Sequence, residues 1–239
     1  MMDKSTSKGV NWRVYTKINR PDKSIVEQFN DIPVCPINDV MHRMGAMDSA
    51  IRPINNTKVV GTALTVKLPF TSGAMFNEAV AMAEPGDVIV VTRGNGSTQI
   101  GSSGDKLVSF ALAKGIKGFI VDGAIRDSGI LNGLDDFNVY ARAITPNTAM
   151  CNGVGPGEIN VPVACGGVVV FPGDIIVADE DGIVAIRPQD AEEIAKMAKA
   201  LNEQEELFAS KLRAGTSSRA NRPELEKDGC LFFDTTWDE

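Results

Sequence analysis

The sequence predicts an α/β fold, and three observations predict it. Two short apolar runs, "VIVVT" after Asp87 and "GFIVD" ending at Asp122, are separated by a glycine-rich loop and a helical stretch, the pattern of a β-loop-α-β unit with buried parallel strands. "KVVGTALTVKL", Lys58 to Leu68, alternates and is rich in β-branched residues, so it reads as a further strand. In "DIIVADEDGIVAI", Asp181-Gly182 falls between two apolar runs, the signal of a hairpin turn.

Composition bounds the rest. At 239 residues, 43% hydrophobic and 23% charged, the chain suits one sizeable globular domain with an appendage. A formal net charge of -7 and no basic stripe exclude nucleic acid as an expected partner. No apolar run approaches the roughly 20 residues of a membrane span, and "MMDKSTSKGV" has no signal-peptide core, so a cytoplasmic chain without a membrane partner is expected. Cys35, Cys151, Cys165 and Cys230 form no CxxC pair and read as buried or incidental thiols. His42 is the only histidine, which rules out a metal site built on two or three imidazoles from one chain; any metal must be held by oxygen.

Taken in order, residues 1–12 form a flexible N-terminus, and "NWRVYTKINRPDKSIVEQFNDI" an opening arm with a short helix around Lys23 to Phe29. Asn38 and Asp39 are capping residue types ahead of "VMHRMGAM", which predicts a helix carrying His42 and ending at Gly45. After the Lys58 strand, "GAMFNEAVAMAEPGD" predicts a helix with Met75, Val80 and Met82 inward. The strand from Asp87, the loop Arg93 to Gly104, a helix from about Asp105 to Lys114 and "GFIVD" follow. "FNVYARAI" and "VPVACGGVVVF" are strand-like. "EPGDVIVV" is echoed by "FPGDIIVA", which predicts two similar strand-launching turns rather than a repeat. From Asp190, with Glu193 as its capping partner, a long amphipathic helix carries Ile194, Met197, Leu201, Phe208 and Leu212 and ends near Gly215. The core is thus expected over 13–189, and a helix and tail over 190–239, whose "CLFF" cluster suggests oligomer contacts.

The chemistry gathers where the glycine-rich loop opens a helix. The loop follows a buried strand, the position at which α/β proteins bind anions, yet it lacks the third glycine of a dinucleotide fingerprint and the Gly-Lys-Ser/Thr of a phosphate loop. Backbone N–H groups around Asp105 to Val108 are left to meet a carboxylate. Arg126 and Asp127 follow the next strand, so they emerge at the same edge. Arg126 can fork onto a carboxylate, and Asp127 is a hard oxygen ligand suited to Mg2+ or Mn2+; Asp105 faces the same pocket. A surface ion pair also accounts for an Arg-Asp dipeptide, and Lys106, Lys114 or Lys117 leaves Schiff-base chemistry open.

"GDKLVSFALAKGIKGFIVDGAIRD" resembles the RraA-like family and, within it, class II pyruvate aldolases acting on 4-hydroxy-4-methyl-2-oxoglutarate and 4-carboxy-4-hydroxy-2-oxoadipate. The signature of those aldolases, an aspartate, twenty residues and Arg-Asp, is met by Asp105 and Arg126-Asp127. The resemblance extends from "IRPINNTKVVGTALTV" to "PGDIIVADEDGIVAI" and implies a swivelling α/β/β/α domain, here with an added C-terminal helical arm, assembled as a homotrimer or homohexamer with sites at subunit interfaces. It implies Asp127 as metal ligand, Arg126 as clamp for the substrate carboxylate and enolate oxygen, Asp105 as the residue positioning a metal water, and the amides of Lys106 and Leu107 as contacts to a 2-oxo acid. Glu203 or Glu205 is the candidate contribution of a neighbouring subunit. The polar loop "RGNGSTQIGSSGD" and the segment after Gly215 depart from the aldolase pattern and leave substrate identity open. The implied activity is retro-aldol cleavage to pyruvate, with oxaloacetate decarboxylation as a side activity. The family also holds non-catalytic regulators that inhibit an RNA-degrading endonuclease.

Overall fold

The computed structural model describes residues 9–237 apart from 56–57, 71, 95, 132, 135–136 and 149–154. Its elements run β1 (Trp12–Val14), α1 (Lys23–Glu27), α2 (Val34–Val40), β2 (Arg52–Pro53), β3 (Val59–Leu68), α3 (Ala74–Met82), β4 (Asp87–Arg93), α4 (Asp105–Ala113), β5 (Gly118–Ile125), α5 (Ser128–Leu131) and β6 (Asn138–Ile144). They continue with β7 (Gly157–Ile159), β8 (Val163–Cys165), β9 (Val168–Val170), β10 (Ile175–Ala178), β11 (Ile183–Ile186), α6 (Ala191–Arg213) and α7 (Arg222–Lys227). Two compact units, Met1–Lys199 and Ala200–Glu239, divide the chain.

In the first unit β3, β4, β5 and β6 pair in parallel, in that order, which sends all four strand ends to one edge. β3 is long enough to have two partners on its other side: Val59 to Thr62 pair with β10, and Val66 and Lys67 with β7, both antiparallel. That division starts a second β layer, because β10 turns back through Asp181-Gly182 into β11.

The two-residue side-chain period of a strand then builds three cores from the apolar runs. Ile89 and Val91 of β4 face α3 and α4, with Phe76, Phe119 and Phe137. Val88 and Val90 face the opposite way, toward Ile176 and Ala178 of β10 and the β8–β9 hairpin. Ile175 and Val177 pass to a third core under α2 and the first turns of α6, with Phe29, Ile37, Ile194 and Ala198. The layers are therefore α/β/β/α, as expected. Phe119 stacks against Phe76 and Phe137, each with centroids 4.8 Å apart; such tilted pairs add about 1 kcal/mol each beyond their buried area.

The two Pro-Gly-Asp phrases become matching turns on either side of β3. Gly86 and Gly173 take φ of +96° and +95°, open to glycine at no steric cost. Asp87 accepts the Glu84 N–H at 2.9 Å and Asp174 the Phe171 N–H at 2.8 Å. Each buried carboxylate also meets an arginine: Arg20 forks onto both oxygens of Asp87 at 3.1 and 2.8 Å, and Arg187 pairs with Asp174 at 3.1 Å.

Several expectations change. The helix is Val34–Val40, ahead of "VMHRMGAM", so Asn38 and Asp39 lie in its last turn; His42 and Arg43 follow with φ of +57° and +62°. Its first N–H is capped from afar, Val34 donating to Asp179 at 2.8 Å, which no local signal announces. "VPVACGGVVVF" is a hairpin, β8 and β9 turning at Gly166-Gly167, and "GFIVD" continues to Ile125 across a bulge. Met197 is exposed; Ala191, Ala195 and Ala198 supply the buried stripe with Ile194. Cys165 is buried, whereas Cys35 and Cys230 are exposed; Cys151 lies outside the described residues. Among the described residues no helix is long and apolar enough to cross a membrane.

Candidate active site

A cavity of about 240 Å3 opens at the carboxyl edge of the parallel strands, lined by Gly73 and Asn77 of the α3 region, Gly101 to Leu107, Arg126, Asp127 and Thr148. The residues expected to share a site, Asp105, Lys106, Leu107, Arg126 and Asp127, all line it. Glu203 and Glu205 are exposed on α6, in the second unit.

The glycine loop is held to the sheet as an added edge. Gly101 bridges Ala124, Ser102 N–H donates to Ala124 O at 2.7 Å, and Arg126 N–H to Ser103 O at 2.9 Å. The loop thus passes directly over the end of β5. Gly104 lies so close to Asp127 that a Cβ there would sit 2.3 Å from Asp127 Oδ2 and 3.1 Å from Arg126 Nε. A side chain at this position would push the Asp127 carboxylate and the Arg126 side chain aside.

Asp127 itself has φ of +59°, the left-handed region that aspartate tolerates better than most residues. Its Oδ2 accepts Arg126 Nε at 3.1 Å and the Asp105 N–H at a long 3.4 Å; Oδ1 has no hydrogen-bond partner among the described residues. The Arg126 and Asp127 side chains remain about one-third exposed, so their mutual attraction is screened and the pair stays available to a ligand.

Around α4 the expected array of free amides is largely engaged. Asp105 N–H goes to Asp127, Lys106 N–H to Asp105 Oδ1 at 2.8 Å, and Val108 N–H to Gly104 O at 3.2 Å. The Leu107 N–H is left without a partner among the described residues. The reason is local: aspartate at the first helical position folds back to cap its own turn.

Two supports were not legible in sequence. Arg93 is fully buried; its Nε donates to Ser102 Oγ at 2.8 Å, and its terminal nitrogens donate to the carbonyls of Pro69, Phe70 and Ser72 at 2.8 to 3.2 Å. It ties the glycine loop to the approach of α3. Asp122 takes the Gly166 N–H at 2.8 Å and pairs with Arg142, which also reaches Asp48 at 2.8 Å. A charged residue within or at the end of an apolar run was the only available signal for either.

A divalent cation can be tested against this donor set. Asp127 has an unoccupied carboxylate oxygen and Asp105 lines the same cavity, while among the described residues no group of three or more His, Cys, Asp or Glu side chains could hold a metal. One or two carboxylates suit a hard ion that keeps most of its water, such as Mg2+ or Mn2+, and not a four-ligand zinc centre.

A family model, RraA-like (Aldolase/RraA), matches residues 34–185. A protein of Halalkalibacterium halodurans named "Putative 4-hydroxy-4-methyl-2-oxoglutarate aldolase" is 36% identical over 183 residues, 76% of this chain and 85% of that one. Among solved structures, RraAS2 of Streptomyces coelicolor, described as an unusual member of the RNase ES inhibitor RraA protein family, superposes with a TM-score of 0.72 at 32% identity, over 80% of this chain and 100% of its own. The RNA-processing inhibitor RraA from Thermus thermophilis superposes with a TM-score of 0.58 at 28% identity, over 65% and 93%.

Proposed function

The chain belongs to the RraA-like family, and we propose that within it this protein is a divalent-metal-dependent aldolase, cleaving a 4-hydroxy-2-oxo acid to pyruvate and a second oxo compound. The observation that carries the reading is the meeting of Asp105, Arg126 and Asp127 in one cavity, with Asp127 in a left-handed backbone and Gly104 packed against it. A non-glycine residue held in the left-handed region beside a cavity, with one carboxylate oxygen open to a ligand, is the kind of backbone strain that accompanies function.

Asp127, with Asp105 beside it, would hold Mg2+ or Mn2+. The cation supplies Lewis-acid polarisation of the 2-oxo group. The chain's own residues do the rest. The Leu107 N–H, at the positive end of α4, donates to the substrate carboxylate. Arg126 lies beside the 2-oxo oxygen, where negative charge builds as the C3–C4 bond breaks. The 4-hydroxyl proton passes toward the Asp105 carboxylate through water; the C4–O bond becomes a carbonyl, and the C3–C4 electron pair becomes the enolate of pyruvate. A proton returned to C3 completes pyruvate. Oxaloacetate decarboxylation reaches the same enolate and is the expected side activity. For binding at Lys106, the amide must first be released by Asp105 Oδ1, whereas Leu107 needs no such change.

A homotrimer or homohexamer, with Glu203 or Glu205 completing a neighbour's site and the 190–239 arm in the contacts, belongs to the same proposal. Pyruvate release from 4-hydroxy-4-methyl-2-oxoglutarate, with and without Mg2+, tests it: turnover abolished by chelator and no adduct trapped by borohydride are expected. Trapping at a lysine would replace the metal reading with Schiff-base chemistry. The second reading is a non-catalytic regulator of an RNA-degrading endonuclease, favoured by the likeness to the Thermus RNA-processing inhibitor and to the Streptomyces member of the RNase ES inhibitor family. No turnover on any 4-hydroxy-2-oxo acid or oxaloacetate, together with inhibition of such a nuclease, would select it.

A further inference from the structure

Two serines stand side by side where the glycine-rich loop crosses the end of β5, and both are buried: Ser102 is 9% exposed and Ser103 7%. Their hydroxyls are used differently. The Ser102 oxygen accepts Arg93 Nε at 2.8 Å, which gives it a structural role. The Ser103 hydroxyl makes no hydrogen bond among the described residues. It is not one of the orphaned polar atoms sealed in the interior, so it opens onto the cavity that Ser103 lines. A buried hydroxyl without a partner is costly, and serines in loops ordinarily avoid that cost by bonding a nearby backbone group. The partner of this one has to come from the cavity.

The fold fixes where in the cavity Ser103 stands. Gly101 bridges Ala124 in parallel, and two residues further along both segments the Arg126 N–H donates to Ser103 O at 2.9 Å. The loop therefore runs alongside Arg126, and at the next residue, Gly104, a Cβ would sit 3.1 Å from Arg126 Nε. Ser103 is the loop residue held beside the arginine. In the proposed reaction Arg126 attends the 2-oxo oxygen, where negative charge builds as the C3–C4 bond breaks. Its Nε is already given to Asp127 Oδ2 at 3.1 Å, so part of its donor capacity is spent. A neutral O–H at its side adds a donor to that oxygen without adding a charge to the cavity.

We infer that Ser103 is a further catalytic residue of this site: its hydroxyl donates a hydrogen bond to the 2-oxo oxygen of the bound acid, next to Arg126, and that bond strengthens as the oxygen becomes an enolate. The inference rests on the aldolase reading for its ligand, and binding separates the two. The probes are pyruvate and oxalate, which is of similar size and carries negative charge where the enolate of pyruvate carries it. In calorimetric titrations with Mg2+ present, the wild-type chain is expected to bind oxalate about a hundred-fold tighter than pyruvate. Ser103→Ala is expected to cut that preference about ten-fold through oxalate alone, with pyruvate binding and the thermal midpoint unchanged, and to slow pyruvate release about a hundred-fold. Ser103→Cys, which keeps the volume and weakens the donor, should move in the same direction. Ser102→Ala is the counterpart: it should lower the thermal midpoint and leave the preference as it was. A preference unchanged within about two-fold in both Ser103 variants, or lost in Ser102→Ala instead, overturns the assignment. If 4-hydroxy-4-methyl-2-oxoglutarate is cleaved while Ser103→Ala keeps the preference, the Ser103 inference alone falls. If the preference depends on Ser103 in a chain that cleaves no 4-hydroxy-2-oxo acid, the aldolase reading alone falls.

Discussion

The two edges of the parallel sheet treat aspartate in opposite ways. At the amino edge Asp87 is 1% exposed, and its oxygens are taken up by Arg20 and the Glu84 N–H; across β3, Asp174 is held likewise by Arg187 and the Phe171 N–H. At the carboxyl edge Asp127 is 32% exposed on its side chain, has one oxygen unbonded, and occupies a left-handed backbone. The first pair is structural: each buried carboxylate is held by an arginine and by a turn N–H. Asp127 suits the chemical role proposed for it, because bonding capacity is left over where the backbone is under strain. Burial still costs Asp174, pushing its carboxyl pKa up despite its partners.

Asp127→Asn should break the contrast most severely. Asparagine tolerates the left-handed backbone, so the fold should persist while pyruvate release falls roughly a thousand-fold and loses its response to Mg2+. Unchanged turnover and unchanged metal dependence would remove Asp127 from the site. Asp87→Ala should do the reverse. It leaves Arg20 only its exposed partner Glu84 and leaves the Glu84 N–H without its acceptor at a buried turn, and urea unfolding should register a loss of about 3 kcal/mol. A stability loss below a few tenths would show that the amino-edge lock is not structural.

Gly104→Ala sharpens the comparison. The added methyl would lie 2.3 Å from Asp127 Oδ2, so the pair must move, and activity should drop roughly ten- to a hundred-fold with little change in unfolding midpoint. A collapse of stability instead would mean that the loop, not the site, needs this glycine.

The smallest effect concerns a thiol–carboxylate pair outside both edges. Although Cys35 is exposed, partial desolvation of its thiol, helped by a hydrogen bond to Asp181 at 3.3 Å, raises its pKa to about 11. Iodoacetamide at pH 8 should therefore label Cys230 well before Cys35. Because the folded thiol keeps its proton longer than the unfolded one, the stability it contributes is complete below about pH 9 and lost as the pH rises through about 11. Equal labelling rates at pH 8 would contradict the shift.

Strands with a two-faced burial were legible because each residue of "VIVV" or "IIVA" carries its own evidence: every side chain is apolar, so both faces must be covered. The α2 helix was misplaced because its cap, Asp179, is 145 residues away, and a pattern rule searching nearby found Asn38 and Asp39 instead. β1 and β7, three residues each, were missed since strands so short leave no period to read. At the site, Asp105 and Arg126-Asp127 were legible as a spacing and as a shared strand edge. Arg93, Asp122 and Arg142 were not, since a buried charge declares itself only through the groups that surround it.

By itself, then, the sequence determined the layered α/β plan, the edge at which chemistry collects and the residue types gathered there, because those follow from local periodicity and from the rule that parallel strands share a carboxyl edge. Tertiary structure decided which groups remain available: that Asp105 caps its own helix, that Leu107 and not the whole first turn offers a free N–H, and that Asp127 keeps an oxygen while Asp87 keeps none. Availability is a property of what lies within about 3 Å in space, and distances of that kind are set only when the loops have closed over the sheet.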